Sequence, residues 1–429
     1  MAGQDAKLEG AGALKITLIY LAFGLAILGS ALAISLSLAF PVFRFPHPTG
    51  PYEIGTLTYH WVDDSRIEIF TANPNDRREL IVQIWFPAKA GSPTPEMPYL
   101  QDASVVMAGF AKLLQKPEFI FRNFKYVNTN ASTSAGMADA EPSYPLLLFL
   151  EGAAGFRQMN TFQVEELVSQ GYVVAAIDQP GTAAIVAFPD GHQFSGMPVV
   201  EMQALIRPSY MAGQEKAVLD GKELAEGSII PYLTQDAVFV LNKLAELNRF
   251  DPNQILAGRL DMQRVGAFGV SLGGIVVAEL CRVESRLRAC LMMDAPMPND
   301  VVQLGLARPS MWMTRDADTM RLERARSGGW PEIEISSHLI SMRAAYVANK
   351  SDSYFVQLPG AFHSNFTDVP LWSPLAAWLG ITGPMDGALA HQIINTYSVA
   401  FFNKHIKNIS NSQLDAPLAD YPEVLFEKR

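Results

Sequence analysis

The stretch Arg264 to Gly274 reads R-V-G-A-F-G-V-S-L-G-G, and its interpretation sets the fold. Val265 to Phe268 is short and apolar, as expected of a buried parallel strand. Gly269, Ser271 and Gly273 then spell G-x-S-x-G, and the apolar run Ile275 to Cys281 has helical character. Strand, G-x-S-x-G and helix in succession form the context of a nucleophile elbow. The turn is tight enough to strain the serine backbone, and a side chain two residues to either side would collide with the strand or the helix. The serine hydroxyl then stands exposed at the carboxyl edge of a sheet, beside a helix N-terminus. A glycine-rich turn with an incidental serine lacks this flanking pattern.

The chain around the elbow alternates strand and helix. Leu146 to Leu150 is a strand ending in Glu151-Gly152-Ala153-Ala154-Gly155, followed by a helix from Gln158 to Gln170. Tyr172 to Ile177 is the next strand, ending at Asp178. An excursion occupies about Thr182 to Tyr232, and Leu233 to Leu247 is an amphipathic helix. Beyond the elbow come strands at Ala289 to Met293, Pro309 to Thr314 and Tyr354 to Leu358, a helix from Ile335 to Asn349, and a closing helix from Ala388 to Ile406. Nearer the N-terminus, Gly55 to Ile69 and Leu80 to Phe86 open the sheet in antiparallel fashion. The alternation predicts an α/β fold, a mainly parallel, doubly wound sheet with helices on both faces.

The chain has 429 residues, of which 49% are hydrophobic and 18% charged, enough for a large core. The net charge of −10 and the lack of a Lys/Arg run exclude a nucleic-acid reader. No charge interrupts Ile16 to Phe40, which as a helix at about 1.5 Å per residue reaches the roughly 30 Å of a bilayer core. The organisation expected is an N-terminal transmembrane anchor over residues 1–44, with a cleaved signal peptide as the alternative, and a catalytic domain over 45–429. That domain is expected on the exported side, held to the membrane by the N-terminal segment or secreted if the segment is cleaved. Cys281 and Cys290 are too few for a disulfide framework or zinc site, and buried free thiols are the expectation.

A serine hydroxyl needs a base, and the base needs an acid to orient it. On this kind of sheet the three follow one another as Ser, Asp or Glu, then His, each at a strand's carboxyl end. His363, in the loop G-A-F-H-S-N-F after the last strand, is the expected base. His338, His391 and His405 fall in or beside helices, where a solvated or capping histidine is expected. Strand-end position leaves the acid open between Asp294 and the pair Asp316 and Asp318. The backbone N–H of Leu272 and that of Ala153 are the expected oxyanion donors, since the small residues Gly152 to Ala154 let the backbone approach a substrate. Glu151 and Asp178 read as structural strand-end carboxylates. No metal or cofactor is implied.

These motifs resemble the plasma-type platelet-activating factor acetylhydrolase family of α/β-hydrolases. The likeness runs from about Gly50 to Phe366 and rests on P-Y-x-I-G-T near Pro51, R-R-E-L-I-V-Q-I-W-F-P ending at Pro87, G-A-A-G-F-R at Gly152, F-G-V-S-L-G-G at Phe268, M-D-A-P-M at Met293 and G-A-F-H-S-N-F at Gly360. The resemblance implies the α/β-hydrolase fold, Asp294 as the acid, oxyanion donors at Ala153 and Leu272, and hydrolysis of short or oxidised acyl esters of phospholipids. Three positions depart from the family pattern: Glu151 and Val270 stand where histidine is usual, and Gln179 replaces a histidine after Asp178. All three are expected to alter the pocket mouth. Phe156 and Met297, with the Met-rich stretch containing Met311 and Met313, are the expected substrate-pocket lining.

The expected function is therefore a serine ester hydrolase acting on a small-molecule or lipid ester, with no obligate protein partner. A peptidase or amidase on the same fold is the competing enzyme class. A non-catalytic binding protein on a hydrolase scaffold requires a lost triad or oxyanion element, and none is lost.

Overall fold

A computed structural model describes residues 18–31, 35, 37–91, 96–133, 135–211, 213, 215–410 and 412–429. Fifteen strands are assigned among them: β1 (Glu53–Ile67), β2 (Arg77–Ala88), β3 (Glu96–Pro98), β4 (Asn128–Ser132), β5 (Tyr144–Leu150), β6 (Val173–Asp178), β7 (Ile185–Ala187), β8 (Gln193–Ser195), β9 (Val218–Leu219), β10 (Lys222–Glu223), β11 (Leu260–Val270), β12 (Leu287–Met293), β13 (Ser310–Thr314), β14 (Ser353–Gln357) and β15 (Leu425–Lys428). Eleven form one sheet in the order β15-β14-β13-β12-β11-β5-β6-β2-β1-β4-β3. The six from β14 to β6 run parallel, while β2 and β15 flank them antiparallel.

The parallel strands are buried on both faces, so they read as apolar runs instead of alternating ones. On β5, Leu146, Leu148 and Leu150 join the core on one face with the helices Ile230–Arg249, Leu272–Val283 and Glu332–Ala348. Leu147 and Phe149 point the other way, into the core made with the helices Thr161–Ser169 and Gly387–His405. The doubly wound expectation holds. The register sets Gly269 of β11 opposite Leu150 on one side and Met292 on the other. The carboxyl ends of β5, β11 and β12 therefore lie together, and the residues that follow them converge.

Two expectations change. The apolar N-terminal run is helical over 18–31 and again at 35 and 37–39. No helix among the described residues is long and apolar enough to cross a membrane, so the predicted transmembrane anchor finds no support there. Residues 1–17, 32–34 and 36 of that predicted anchor lie outside the described residues. Cys281 and Cys290 are a disulfide, not free thiols, with Cα atoms 6.3 Å apart. The helix Leu272–Val283 packs back over β12 and brings Cys281, near its end, onto Cys290 in mid-strand.

Candidate active site

Ser271 has φ +56° and ψ −124°, a strained conformation for a side-chain-bearing residue, and it caps the helix Leu272–Val283. Its glycine neighbours are obligatory. A methyl group on Gly273 would lie 1.9 Å from the Leu150 carbonyl oxygen, and one on Gly269 would lie 2.5 Å from the Gly273 backbone. The turn is locked by Ser271 N–H donating to Met293 O at 2.9 Å. Ser271 faces a cavity of ≈ 260 Å³ that is also lined by Leu272, Ala153 and His363.

His363 begins a short 3₁₀ turn after β14, and its backbone N–H donates to Glu323 Oε1 at 3.2 Å. His363 Nδ1 lies 2.5 Å from Asp294 Oδ2. A carboxylate can only accept, so Nδ1 carries the proton and Nε2 is left unprotonated, able to accept one. Ser271 Oγ makes no hydrogen bond to the ring in this unliganded geometry, although both groups face the one cavity. Serine–base hydrogen bonds commonly tighten only once substrate is bound.

Asp294 is fully buried and has φ +43°, so its backbone is strained as well. Arg315 Nε lies 2.8 Å from Asp294 Oδ2, its N–H off the hydrogen-bond axis. Thr314 Oγ1 donates to Asp294 Oδ1 at 3.2 Å, and His338 Nε2 lies 3.3 Å from the same oxygen. Burial alone would raise the Asp294 pKa. The Arg315 charge and the contacts from His338 and His363 override it and hold the carboxyl well below its usual range. Burial in turn lowers the His338 pKa and favours the neutral ring, despite Asp294 beside it.

The other acid candidates are employed elsewhere. Asp316 caps the helix Ala317–Ser327, accepting from Thr319 N–H at 2.8 Å, and Asp318 is exposed and paired with Arg321. His391 bonds Thr367 O and stacks on Phe162, while His405 sits beside Tyr354. His338 was expected to be solvated. Instead it is buried, because the first half of the helix Glu332–Ala348 packs over the end of β13. Trp330 also lines the cavity and covers His363, His338 and the Arg315 guanidinium at ring distances of 5.5, 5.0 and 5.1 Å. Nothing in the sequence marks Trp330 or Arg315, apart from the latter's position one residue beyond a strand end.

Leu272 opens its helix, so its N–H has no acceptor within the helix. Ala153 N–H makes no hydrogen bond, whereas the flanking Ala154 N–H donates to Thr182 O at 2.8 Å and Gly155 N–H to Gly152 O at 3.0 Å. Gly152 approaches the serine closely: a methyl group there would lie 3.2 Å from the Ser271 Cβ. Two unengaged N–H groups thus border the cavity beside the serine.

The excursion supplies cavity wall at Val199, Gln203, Ile206 and Tyr210. Phe156 does not line the cavity. It is core, packed against Tyr99, Phe110 and Trp372. Met297 is also core, its sulfur 3.2 Å from the Trp312 indole nitrogen, and Met311 and Met313 are buried strand residues. Glu151, Val270 and Gln179 are buried below the cavity and do not shape its mouth. Among the described residues, no group of three or more His, Cys, Asp or Glu is arranged to hold a metal ion.

A family model described as platelet-activating factor acetylhydrolase, isoform II, matches residues 38–203 and 240–420. Platelet-activating factor acetylhydrolase of Gallus gallus is 23% identical over 398 residues, covering 85% of this chain and 84% of that protein. A probable 1-alkyl-2-acetylglycerophosphocholine esterase of Arthroderma benhamiae is 23% identical over 415 residues, covering 90% and 94%. The solved structure of a ferulic acid esterase from Streptomyces cinnamoneus shares the fold with a TM-score of 0.67 at 24% identity, covering 90% of this chain and 99% of that one.

Proposed function

The chain belongs to the platelet-activating factor acetylhydrolase, isoform II, family and is a carboxylic ester hydrolase, and from that premise we propose that it acts as a serine esterase through an acyl-enzyme. One observation carries the mechanism: His363 Nδ1 lies 2.5 Å from the buried Asp294 carboxylate, on the wall of the cavity that holds Ser271. Once substrate brings Ser271 Oγ to His363 Nε2, the imidazole takes the hydroxyl proton and Oγ attacks the ester carbonyl. Asp294, kept anionic by Arg315, stabilises the imidazolium. The N–H groups of Leu272 and Ala153 receive the oxyanion of the tetrahedral intermediate. His363 protonates the departing alcohol. Water then attacks the acyl-enzyme with His363 again as base, releasing the acid and free Ser271.

The cavity, at ≈ 260 Å³, sits at the small end of ligand sites, and short acyl groups fit it better than long ones. The activities for which the relatives are named, acetylhydrolase and acetylglycerophosphocholine esterase, support an acetyl or similarly short ester on a phospholipid-type alcohol. Residues 45–429 are the catalytic unit, with the excursion near 182–232 walling the cavity. The Cys281–Cys290 disulfide supports an exported location, since thiols stay reduced in the cytosol.

The test is hydrolysis of p-nitrophenyl esters from acetyl to palmitoyl by the chain and by Ser271→Ala. A rate maximum at short acyl chains and a loss of at least about 10³-fold in the variant are expected. Serine-independent turnover refutes the mechanism, and a long-chain maximum refutes the substrate class.

A further inference from the structure

Glu151 lies one residue before the loop that carries Ala153, is buried, and has an Oε2 that meets no donor. Leu150 pairs with Ile177 across the parallel strands β5 and β6, so Glu151 and Asp178 follow side by side at the two strand ends, both buried. Two carboxyl groups side by side away from water share a proton, because two adjacent negative charges there are prohibitively costly. Asp178 is the member with donors against it. It accepts the Arg157 backbone N–H at 2.6 Å and also binds the Arg157 guanidinium. The proton therefore belongs to Glu151. Its Oε1 faces the Gln179 N–H at 3.5 Å, and Gln179 in turn donates to Asp236 Oδ2 at 2.9 Å.

From this arrangement we propose that Glu151 is a positioning residue, a neutral carboxylic acid whose O–H bond to Asp178 fixes the start of the oxyanion loop. Asp178 holds the loop's far end through Arg157, Thr182 O holds its middle through Ala154 N–H, and Ala153 N–H is suspended between these points. Burial first, and then the Asp178 charge, raise the Glu151 pKa well above the usual carboxyl range. Among the described residues, Arg157 is the one cation against the pair, and the nearby Asp236 is already engaged by Arg66 and Arg78. Ionisation of Glu151 would place a second negative charge beside Asp178, break the O–H bond and loosen the loop. The inference rests on Ala153 N–H being an oxyanion donor to a Ser271 adduct.

The experiment compares the full chain with Glu151→Gln and Glu151→Ala. It measures kcat and KM for p-nitrophenyl acetate across pH 6 to 10, alongside labelling of Ser271 by a fluorophosphonate. Glutamine mimics the protonated acid. The parent chain is expected to show an alkaline fall in kcat, and Glu151→Gln is expected to keep neutral-pH kcat within about threefold and to lose that fall. Glu151→Ala is expected to lower kcat by about 10- to 100-fold with KM little changed, part of the 10²- to 10³-fold cost of losing an oxyanion donor outright. An alkaline fall that persists unaltered in Glu151→Gln overturns the proposal even if Glu151→Ala does not fold. So does full kcat in Glu151→Ala. Failure of the parent chain to label at Ser271 overturns the serine mechanism, and this inference with it.

Discussion

Replacing Arg315 with methionine tests how Asp294, the acid of the proposed triad, is held. Arg315 is 1% exposed, pairs with Asp294 Oδ2 at 2.8 Å, and binds Glu323 with the same guanidinium. At an effective dielectric of about 20, charges 2.8 Å apart attract by about 6 kcal/mol, an upper limit that desolvation reduces. Methionine fills much of the volume without charge, so Asp294 stays buried and uncompensated. Removing one partner of such a pair costs about 3–5 kcal/mol, and that is the loss expected at pH 7 in urea unfolding. The pH dependence follows from sign. The Asp294 pKa is depressed in the folded chain, so its stabilisation is present above the unfolded value of about 3.9 and is lost as pH falls through the folded value. Without Arg315 the folded value rises, and the acid-side loss of both stability and kcat/KM starts at higher pH. Glu323 is orphaned too and accepts the His363 N–H, so adding Glu323→Gln is expected to recover part of the stability. An Arg315→Met chain within about 1 kcal/mol of the parent, with an unmoved acid limb, refutes this account of Asp294.

The remaining predictions contrast residues that look alike in sequence. Asp294→Asn is expected to lower kcat by at least about 10³-fold in an ester assay, whereas Asp316→Ala leaves kcat within about twofold and loses about 1 kcal/mol of stability with its helix cap. Gly273→Ala is expected to abolish soluble folded protein in an expression and circular-dichroism test, because its methyl would lie 1.9 Å from a carbonyl oxygen that the central strand cannot move. Cys281→Ala with Cys290→Ala is expected to cost about 2.7 kcal/mol in urea unfolding, the chain-entropy value for a loop of roughly ten residues.

The elbow was legible because its constraint is steric and local. Gly269 and Gly273 are dictated by backbone contacts within a few residues of Ser271, so the pattern survives without any knowledge of the rest of the fold. The proposed acid was not legible from position alone, since Asp294 and Asp316 both follow parallel strands, and only the resemblance separated them. In the structure Asp316 is taken up as a helix cap, accepting from Thr319 three residues on. The disulfide depended on how far the helix Leu272–Val283 runs back along β12, a tertiary fact. The N-terminal run was judged on composition, and no helix among the described residues is long and apolar enough to cross a membrane. His338 misled for a related reason. A helical histidine is usually solvated, but here Thr314, Asp294 and Trp330 enclose it, and they come from β13, the end of β12 and the loop before its own helix.

The three departures from the family pattern bear on where substrate preference resides. Val270 is a core residue of β11, and Glu151 and Gln179 belong to one buried network running from Asp178 to Asp236. Two of the three departures thus fall on linked positions of the same hydrogen-bonded floor, where losing one histidine changes what the other can bond. None of them touches the cavity wall. Selection among acyl and alcohol groups is therefore expected to come from cavity-wall residues such as Leu114, Val199, Ile206, Tyr210 and Trp330, which lie outside the motifs that carry the resemblance. Exchanging Ile206 for alanine follows from this: it enlarges the cavity without touching the network, so it is expected to shift the p-nitrophenyl ester maximum toward longer acyl chains. The network variant Glu151→Gln is expected to leave that maximum in place. A shift in the network variant and none in Ile206→Ala would return the specificity to the floor and refute the division.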